Sequence, residues 1–324
     1  MLKDGYARKI DYLRISVTDR CNLRCRYCMP QEGVPQLNHS DILTYEEIMR
    51  FVRIAADAGI TKVRLTGGEP LVRKGMEGLI RTLAESYPLI DLSLTTNGIL
   101  LADFATRLRA AGLKRVNISI DSLNPDTYRE LTRGGDLERA LQGMQAALEA
   151  GLDPVKMNVV LLKGINDSDE EIGAFIRLAL EEAVYVRFIE YMSPRGDLDK
   201  SHYISAERVV EVMRGFGAVK ESDSPVGAGP ARYLELEGMR GKIGLISPIS
   251  SHFCLTCNRL RLTAEGKLKP CLLSRAEVDV RSLLRTGAGD EEILGAVLAC
   301  LKEKPRERGE DTDGLDHKMS RIGG

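Results

Sequence analysis

The stretch Asp19-Arg20-Cys21-Asn22-Leu23-Arg24-Cys25-Arg26-Tyr27-Cys28 puts three cysteines on one short segment near the start of a 324-residue chain. Three thiolates so spaced can hold three irons of a four-iron cube and leave the fourth iron without a protein ligand. An open iron can take a small molecule, so a cluster held this way is a reagent rather than a wire. The run leading into it, 12–18, reads as a strand. Strand-like runs recur at 62–66, 91–95, 115–120, 154–162 and 184–190, with amphipathic segments between them at 44–58, 75–86, 102–111, 125–131, 137–150 and 168–182. Such alternation predicts a parallel sheet with right-handed crossovers, either doubly wound or an incomplete barrel. Ala-Gly pairs at 58–59, 111–112 and 150–151 supply the glycine that ends a helix.

The strands are not the continuous apolar runs of a doubly covered parallel sheet. Arg14, Ser16 and Thr18 share one face of the first, and Lys62, Arg64 and Thr66 one face of the second. The third gives Ser93, Thr95 and Asn97, the fourth Asn117, Ser119 and Asp121, and the fifth Lys156 and Asn158. The intervening Ile15, Val17, Val63, Leu65, Leu94, Ile118, Ile120, Met157 and Val159 would face the helices. A closed barrel fills its interior with branched apolar side chains. A polar, cationic interior implies instead a wide, partly open barrel around a charged ligand. Arg187 and Glu190 of the sixth strand fit this pattern less cleanly. The expected fold is α/β, an incomplete (β/α)6 TIM-like barrel over residues 5–227, with a C-terminal extension over 228–324 that carries a second group of cysteines. The boundary falls in the Gly-, Pro- and Ser-rich stretch at 225–230, and short strands are expected at 233–237 and 242–247.

Composition narrows the class. The chain is 43% hydrophobic and 29% charged with a formal net charge of -1, so no nucleic-acid or membrane-surface partner is indicated. No apolar run is long enough to span a bilayer and no hydrophobic leader is evident, so a cytoplasmic location is expected. Six of seven cysteines form two groups, at 21, 25, 28 and at 254, 257, 271, and Cys300 stands alone as a buried small hydrophobe. In a reducing compartment such groups read as metal ligands rather than a disulfide framework.

The second group, Phe253-Cys254-Leu255-Thr256-Cys257-Asn258-Arg259-Leu260-Arg261-Leu262-Thr263 followed by Cys271, is by spacing alone equally a zinc ribbon, with His252 or Cys300 as fourth ligand, or a second open-iron cluster. Arg259 and Arg261 favour the cluster. Two arginines on one side of a strand beside a metal site suit a phosphate or carboxylate, which a structural ribbon does not need.

The Cys-x3-Cys-x2-Cys run with Tyr27 resembles the radical S-adenosylmethionine (SAM) superfamily, as does Thr66-Gly67-Gly68-Glu69-Pro70 after the second strand. There the glycines would let backbone approach a ligand, and Glu69 could accept from an ammonium group. The opening run 12–22, the Phe-Ile-Glu-Tyr-Met at 188–192, the second cysteine block and the terminal Met319-Ser-Arg-Ile-Gly-Gly resemble, over nearly the whole chain, the GTP 3',8-cyclase family. That resemblance implies cyclisation of GTP to (8S)-3',8-cyclo-7,8-dihydroguanosine 5'-triphosphate, the first step of molybdenum cofactor biosynthesis. Its cofactors would be two 4Fe–4S clusters and SAM. Cys21, Cys25 and Cys28 would hold the SAM cluster, and Tyr27, Gly68, Ser119 and Met192 would line the SAM site. Cys254, Cys257 and Cys271 would hold the second cluster, whose open iron meets the guanine base. Arg14, Arg64, Thr95, Lys156, Arg259, Leu260 and Arg261 would bind GTP, with Arg187 and Lys62 as weaker candidates. Arg14, Arg259, Arg261, Gly323 and Gly324 would be catalytic, the two glycines through a tail that enters the site. The implied partners are GTP, a flavodoxin or ferredoxin as electron donor, cyclic pyranopterin monophosphate synthase downstream, and a second copy of the chain in a homodimer. The alternatives are another radical SAM enzyme with an auxiliary cluster, such as a peptide-modifying oxidase, or a non-enzymatic zinc-ribbon module.

Overall fold

The computed structural model describes residues 1–192, 198–225, 229–307 and 319–322. The barrel half runs β1 (Tyr12–Ser16), α1 (Tyr45–Asp57), β2 (Lys62–Thr66), α2 (Met76–Ser86), β3 (Asp91–Thr96), α3 (Leu101–Ala110), β4 (Arg115–Ser119), α4 (Pro125–Thr132), α5 (Leu137–Glu149), β5 (Val155–Leu161), α6 (Asp169–Glu181) and β6 (Val184–Glu190). Then come α7 (Glu207–Arg214), β7 (Lys220–Ser222), β8 (Arg232–Glu235), β9 (Lys242–Ile246), β10 (Arg259–Leu262), β11 (Lys267–Lys269), β12 (Val278–Asp279), α8 (Val280–Arg285), α9 (Asp290–Lys302) and α10 (Met319–Ile322).

Local chemistry sets the helix ends. Thr44 caps α1 in a reciprocal box with Glu47, and Asn124 accepts from the amides of Asp126 and Thr127 ahead of Pro125. Gly59, Gly112 and Gly151 follow α1, α3 and α5 with φ of 114°, 99° and 70°, the left-handed turn that only glycine takes without strain.

Among the described residues twelve strands form one sheet, in the order β12-β11-β10-β1-β2-β3-β4-β5-β6-β9-β8-β7. Strands β1 to β6 are parallel and consecutive, as the alternation predicts. The C-terminal extension does not stand apart. It adds β9 in parallel beside β6, with β8 and β7 antiparallel beyond, and β10 in parallel beside β1, with β11 and β12 beyond. Residues 247–258, which carry Cys254 and Cys257, therefore connect the two edges of the barrel. The stretch 225–230 lies between two strands that pair with each other.

The apolar face packs as expected. Ile15, Val17, Val63, Leu65, Leu94, Ile118, Ile120, Met157 and Val159 are all fully buried in one core with the helices. Each such side chain contributes about 1.5–3 kcal/mol on burial. The sixth strand is regular after all. Tyr185, Arg187 and Ile189 share its inner face and Val184, Val186 and Phe188 its core face, so Glu190, three residues on from Arg187, is out of step with it by simple alternation. Cys300 lies in the core of α9 with its thiol 3.5 Å from the Leu268 carbonyl, as a small hydrophobe would.

Candidate active site

The polar strand faces and both cysteine loops enclose one cavity of about 560 Å³. Its two ends differ in charge.

At one end is the loop after β1. The amides of Cys28 and Met29 donate to the Cys25 carbonyl at 2.9 and 3.1 Å, which curls the loop into a single turn with its thiols toward the cavity. Burial pushes the Cys21 thiol up to about 11 and the Cys28 thiol up to about 12, and the Cys25 thiol also rises. Besides one another, the charged groups that act on these thiols are the Glu69 and Asp121 carboxylates. The Asp121 carboxylate accepts from the Tyr27 hydroxyl at 2.7 Å and from the Val160 amide at 2.8 Å, and burial raises it to about 6. Ser119, Gly68 and Met192 line the same end.

The Gly-Gly-Glu-Pro turn plays a different part from the one expected of it. A Cβ on Gly68 would lie 2.3 Å from the Arg20 carbonyl, and one on Gly67 would lie 2.7 Å from the Thr18 carbonyl. The glycines thus let the turn lie against the cysteine loop, where Gly68 and Glu69 amides donate to Thr18 and Arg20. Glu69 is fully buried and does not face the cavity. Its carboxylate accepts from the Leu71 and Asn97 amides and the Thr96 hydroxyl at 3.0, 2.7 and 2.8 Å. It is therefore an organiser of the turn rather than an ammonium acceptor.

The other end is cationic. Strand register sets Arg261 of β10 beside Arg14 of β1, Arg14 beside Arg64 of β2, and Arg64 beside Ser93 of β3. Adjacent strands lie about 4.8 Å apart, so three guanidiniums line up across neighbouring strands. Like charges so placed repel and are desolvated, and their pKa values fall: Arg261 to about 10 and Arg14 well below its usual value. The row below pairs Arg259 with Tyr12, whose phenol is lowered by Arg64, Arg14, Arg259 and Arg261 against the upward push of burial. Arg14 Nε, the Tyr12 hydroxyl and Thr95 Oγ1 are buried at this cavity without hydrogen-bond partners. Unsatisfied buried donors cost about 1–3 kcal/mol each, so they mark a place shaped for an acceptor-rich anion. Arg187 is held by Asn117 and Asn158 at 2.6 and 2.5 Å.

Cys257 reaches the cavity at this end, beside Arg259; burial pushes its thiol up, but Lys304 and Arg259 together draw it below its usual value. Cys254 and Cys271 are half-buried near it in sequence but not on the cavity wall.

Of the expected site residues, Arg14, Arg64, Thr95, Arg259 and Arg261 meet at the cationic end and Tyr27, Gly68, Ser119 and Met192 at the other. Lys62 also lines the wall. Besides Cys254 and Cys271, two expected residues do not. Leu260 is buried on the opposite face of β10, as alternation requires between Arg259 and Arg261. Lys156 is fully buried beneath the wall, and desolvation first, then Arg187, Arg115 and Arg64, lower its pKa to about 6. Gly323 and Gly324 lie outside the described residues; Met319, shortly before them, lines the cavity. Tyr12 and Arg115 were not singled out from the sequence. Tyr12 does share the phase of Arg14, which was the available signal.

The donor chemistry fits iron–sulfur clusters. All six thiols are free and half-buried, and four of them face one cavity. Among the described residues no three His, Cys, Asp or Glu side chains converge to hold a single ion. The fit thus rests on the soft donors themselves, since thiolates select iron–sulfur clusters or zinc over hard cations.

Comparison with known proteins agrees with this geometry. Residues 15–176 match the model of the radical SAM superfamily, and residues 184–309 match that of the Molybdenum Cofactor Synthesis C family. The backbone resembles the crystal structure of Streptococcus suis SuiB bound to S-adenosylmethionine, with a TM-score of 0.66 and 17% identity over 98% of this chain and 77% of that one. The chain is a radical SAM enzyme, and its cofactors are 4Fe–4S iron–sulfur chemistry and SAM. Its similarity to curated relatives is closer. It is 49% identical to the GTP 3',8-cyclase of Peptoclostridium acidaminophilum over 100% of this chain and 98% of that protein. It is 48% identical to the GTP 3',8-cyclase of Moorella thermoacetica over the full length of both. Within the superfamily the chain belongs to the GTP 3',8-cyclase family. Among the described residues no helix is long and apolar enough to cross a membrane.

Proposed function

We propose that the chain cyclises GTP to (8S)-3',8-cyclo-7,8-dihydroguanosine 5'-triphosphate, the first step of molybdenum cofactor biosynthesis. The observation that carries this reading is the row Arg261–Arg14–Arg64 across three adjacent strands, facing the first cysteine loop over one cavity. In the proposed assignment Cys21, Cys25 and Cys28 hold the SAM cluster, and Tyr27, Gly68, Ser119 and Met192 line the SAM site. Cys254, Cys257 and Cys271 would hold a second cluster at the end of the cavity where the guanine base would lie. When bound and reduced, the first cluster supplies the electron that cleaves SAM to a carbon radical able to take hydrogen from the ribose 3' carbon.

The remaining work is done by this chain's own residues. Arg14, Arg64, Arg259 and Arg261 clamp the triphosphate, and Thr95 and Tyr12 donate to it, which orients the 3' carbon toward the first loop and C8 toward ring closure. Leu260 would contribute through its backbone. Lys156 supports the same anion from beneath the wall. Asp121 and its partner Tyr27 place negative charge beside a cationic sulfonium. Gly323 and Gly324 are assigned to the tail that Met319 leads toward the cavity. The enclosure excludes water from a reactive radical.

In this reading residues 5–227 form the radical SAM partial barrel and 228–324 the C-terminal region that binds the second cluster, adds to the substrate site and carries the tail. The electron donor is a flavodoxin or ferredoxin, the product passes to cyclic pyranopterin monophosphate synthase, and the enzyme works as a cytoplasmic homodimer.

Anaerobic incubation with GTP, SAM and dithionite, followed by chromatographic separation and mass analysis of each nucleotide, tests the proposal. Formation of 5'-deoxyadenosine together with a nucleotide isomeric with GTP supports it. Deoxyadenosine without any change in GTP would refute it.

A further inference from the structure

Lys304 follows α9 and is 3% exposed. Its ammonium donates to the Arg259 carbonyl at 2.8 Å and to the Pro270 carbonyl at 2.6 Å, and stands 3.7 Å from the Cys257 sulfur. Arg259 is two residues after Cys257, and Pro270 immediately precedes Cys271. One buried ammonium thus ties together the two segments that carry these cysteines. The third is held nearby. Arg8 donates to the Cys254 carbonyl at 2.6 Å and to the Pro305 and Arg306 carbonyls at 2.6 and 2.8 Å. The segment 304–306 is therefore knotted to all three cysteine positions.

Packing alone does not call for a lysine here. A buried ammonium is expensive unless paired, and an apolar residue of similar length would fill the space without that cost. Among the described residues no carboxylate stands within ion-pair distance of Lys304, and its three donors are taken up by two carbonyls and one sulfur.

We propose that Lys304 is a positioning residue for the second cysteine set: it fixes the segments carrying Cys257 and Cys271 and gives a charge-assisted N–H···S bond to the Cys257 thiolate of a bound cluster. This rests on the two-cluster reading above. Positive charge and N–H donors at a ligand sulfur favour the more negative, reduced state of a cluster and so raise its potential.

The test uses the full chain, reconstituted anaerobically, as wild type, Lys304→Met, Lys304→Arg and the exposed control Lys302→Met. Iron per chain, the midpoint potential of each cluster by EPR titration, and SAM cleavage are read for each. Wild type and Lys302→Met are expected to hold about eight irons, four per cluster. Lys304→Met is expected to lose the second four, or to keep them at a lower potential, while SAM cleavage stays within about twofold because the first loop is untouched. Lys304→Arg keeps the charge but not the geometry, and should keep about eight irons with only the second potential shifted. Lys304→Met with about eight irons and an unchanged second potential overturns the proposal. If that variant also loses SAM cleavage, Lys304→Arg decides: an unchanged second potential overturns it and a shifted one supports it. About four irons in wild type would instead defeat the two-cluster reading, and this inference with it.

Discussion

The two cysteine loops are alike in backbone and opposite in surroundings. Each is a tight turn, closed by the Cys28 amide on the Cys25 carbonyl in one and the Cys257 amide on the Cys254 carbonyl in the other. In the first, burial drives the thiols upward, and the charged side chains that add to this are the Glu69 and Asp121 carboxylates. The second has Arg259, Arg261 and Lys304 near it, and its Cys257 thiol is drawn down. Cluster-binding spacing is therefore not what tells the loops apart. The neighbouring charges do: one end of the cavity suits a cationic sulfonium, the other a polyanion.

The sharpest way to break this comparison is to remove one loop at a time. Cys25→Ser should abolish SAM cleavage altogether, whereas Cys257→Ser should leave 5'-deoxyadenosine formation and stop GTP cyclisation; loss of both products in Cys257→Ser, with the fold intact by circular dichroism, would erase the division. Next in size is the arginine row. Losing a charge-assisted contact costs about 1.5–3 kcal/mol, so Arg261→Ala should weaken GTP binding by roughly 10–100-fold in calorimetry with little effect on SAM binding. Equal losses for both ligands would mean that the arginines serve the fold rather than the anion.

Lys156 gives a pH-dependent sharpening. Its native pKa is lowered from 10.5 to about 6, so between those values the unfolded chain binds more protons than the native one. Stability contributed at this site accordingly rises with pH through that window, and the lysine is most costly at and below pH 6. Lys156→Met should raise the unfolding free energy by about 2 kcal/mol near pH 6, with the gain shrinking toward pH 10, while GTP binding weakens. A gain that does not change with pH would show that Lys156 carries no such burden. The smallest expected effect is at Tyr12. Removing one neutral hydroxyl from an anion site costs about 0.5–1.5 kcal/mol, so Tyr12→Phe should raise the GTP Kd by roughly two- to tenfold and leave SAM cleavage unchanged.

Much of this site was legible in the chain because β-strands alternate. The phase that puts Arg14, Arg64, Thr95 and Ser119 on one face follows from a period of two residues, and it needs no knowledge of what closes the barrel. The glycines that end α1, α3 and α5 are equally local. What was not legible depends on distance. Nothing near Arg261 indicates that it will pair in register with Arg14, 247 residues earlier in the chain (261 − 14). The same non-local pairing makes the C-terminal extension part of both barrel edges instead of an appendage. Glu69 was misjudged because its partners, Thr96 and Asn97, come from the next strand. Lys304 was hidden in a charged segment whose composition reads as a solvated tail, although its own side chain is buried.

The central claim is that the anion sits at the second cysteine loop and not the first. Electron–nuclear coupling between nitrogen-15-labelled GTP and the reduced cluster, measured in a Cys21→Ala/Cys25→Ala/Cys28→Ala variant that keeps only the second set, tests it directly. The account predicts coupling from guanine nitrogen in this variant and none in the reciprocal Cys254→Ala/Cys257→Ala/Cys271→Ala variant. Coupling only in the reciprocal variant would contradict it.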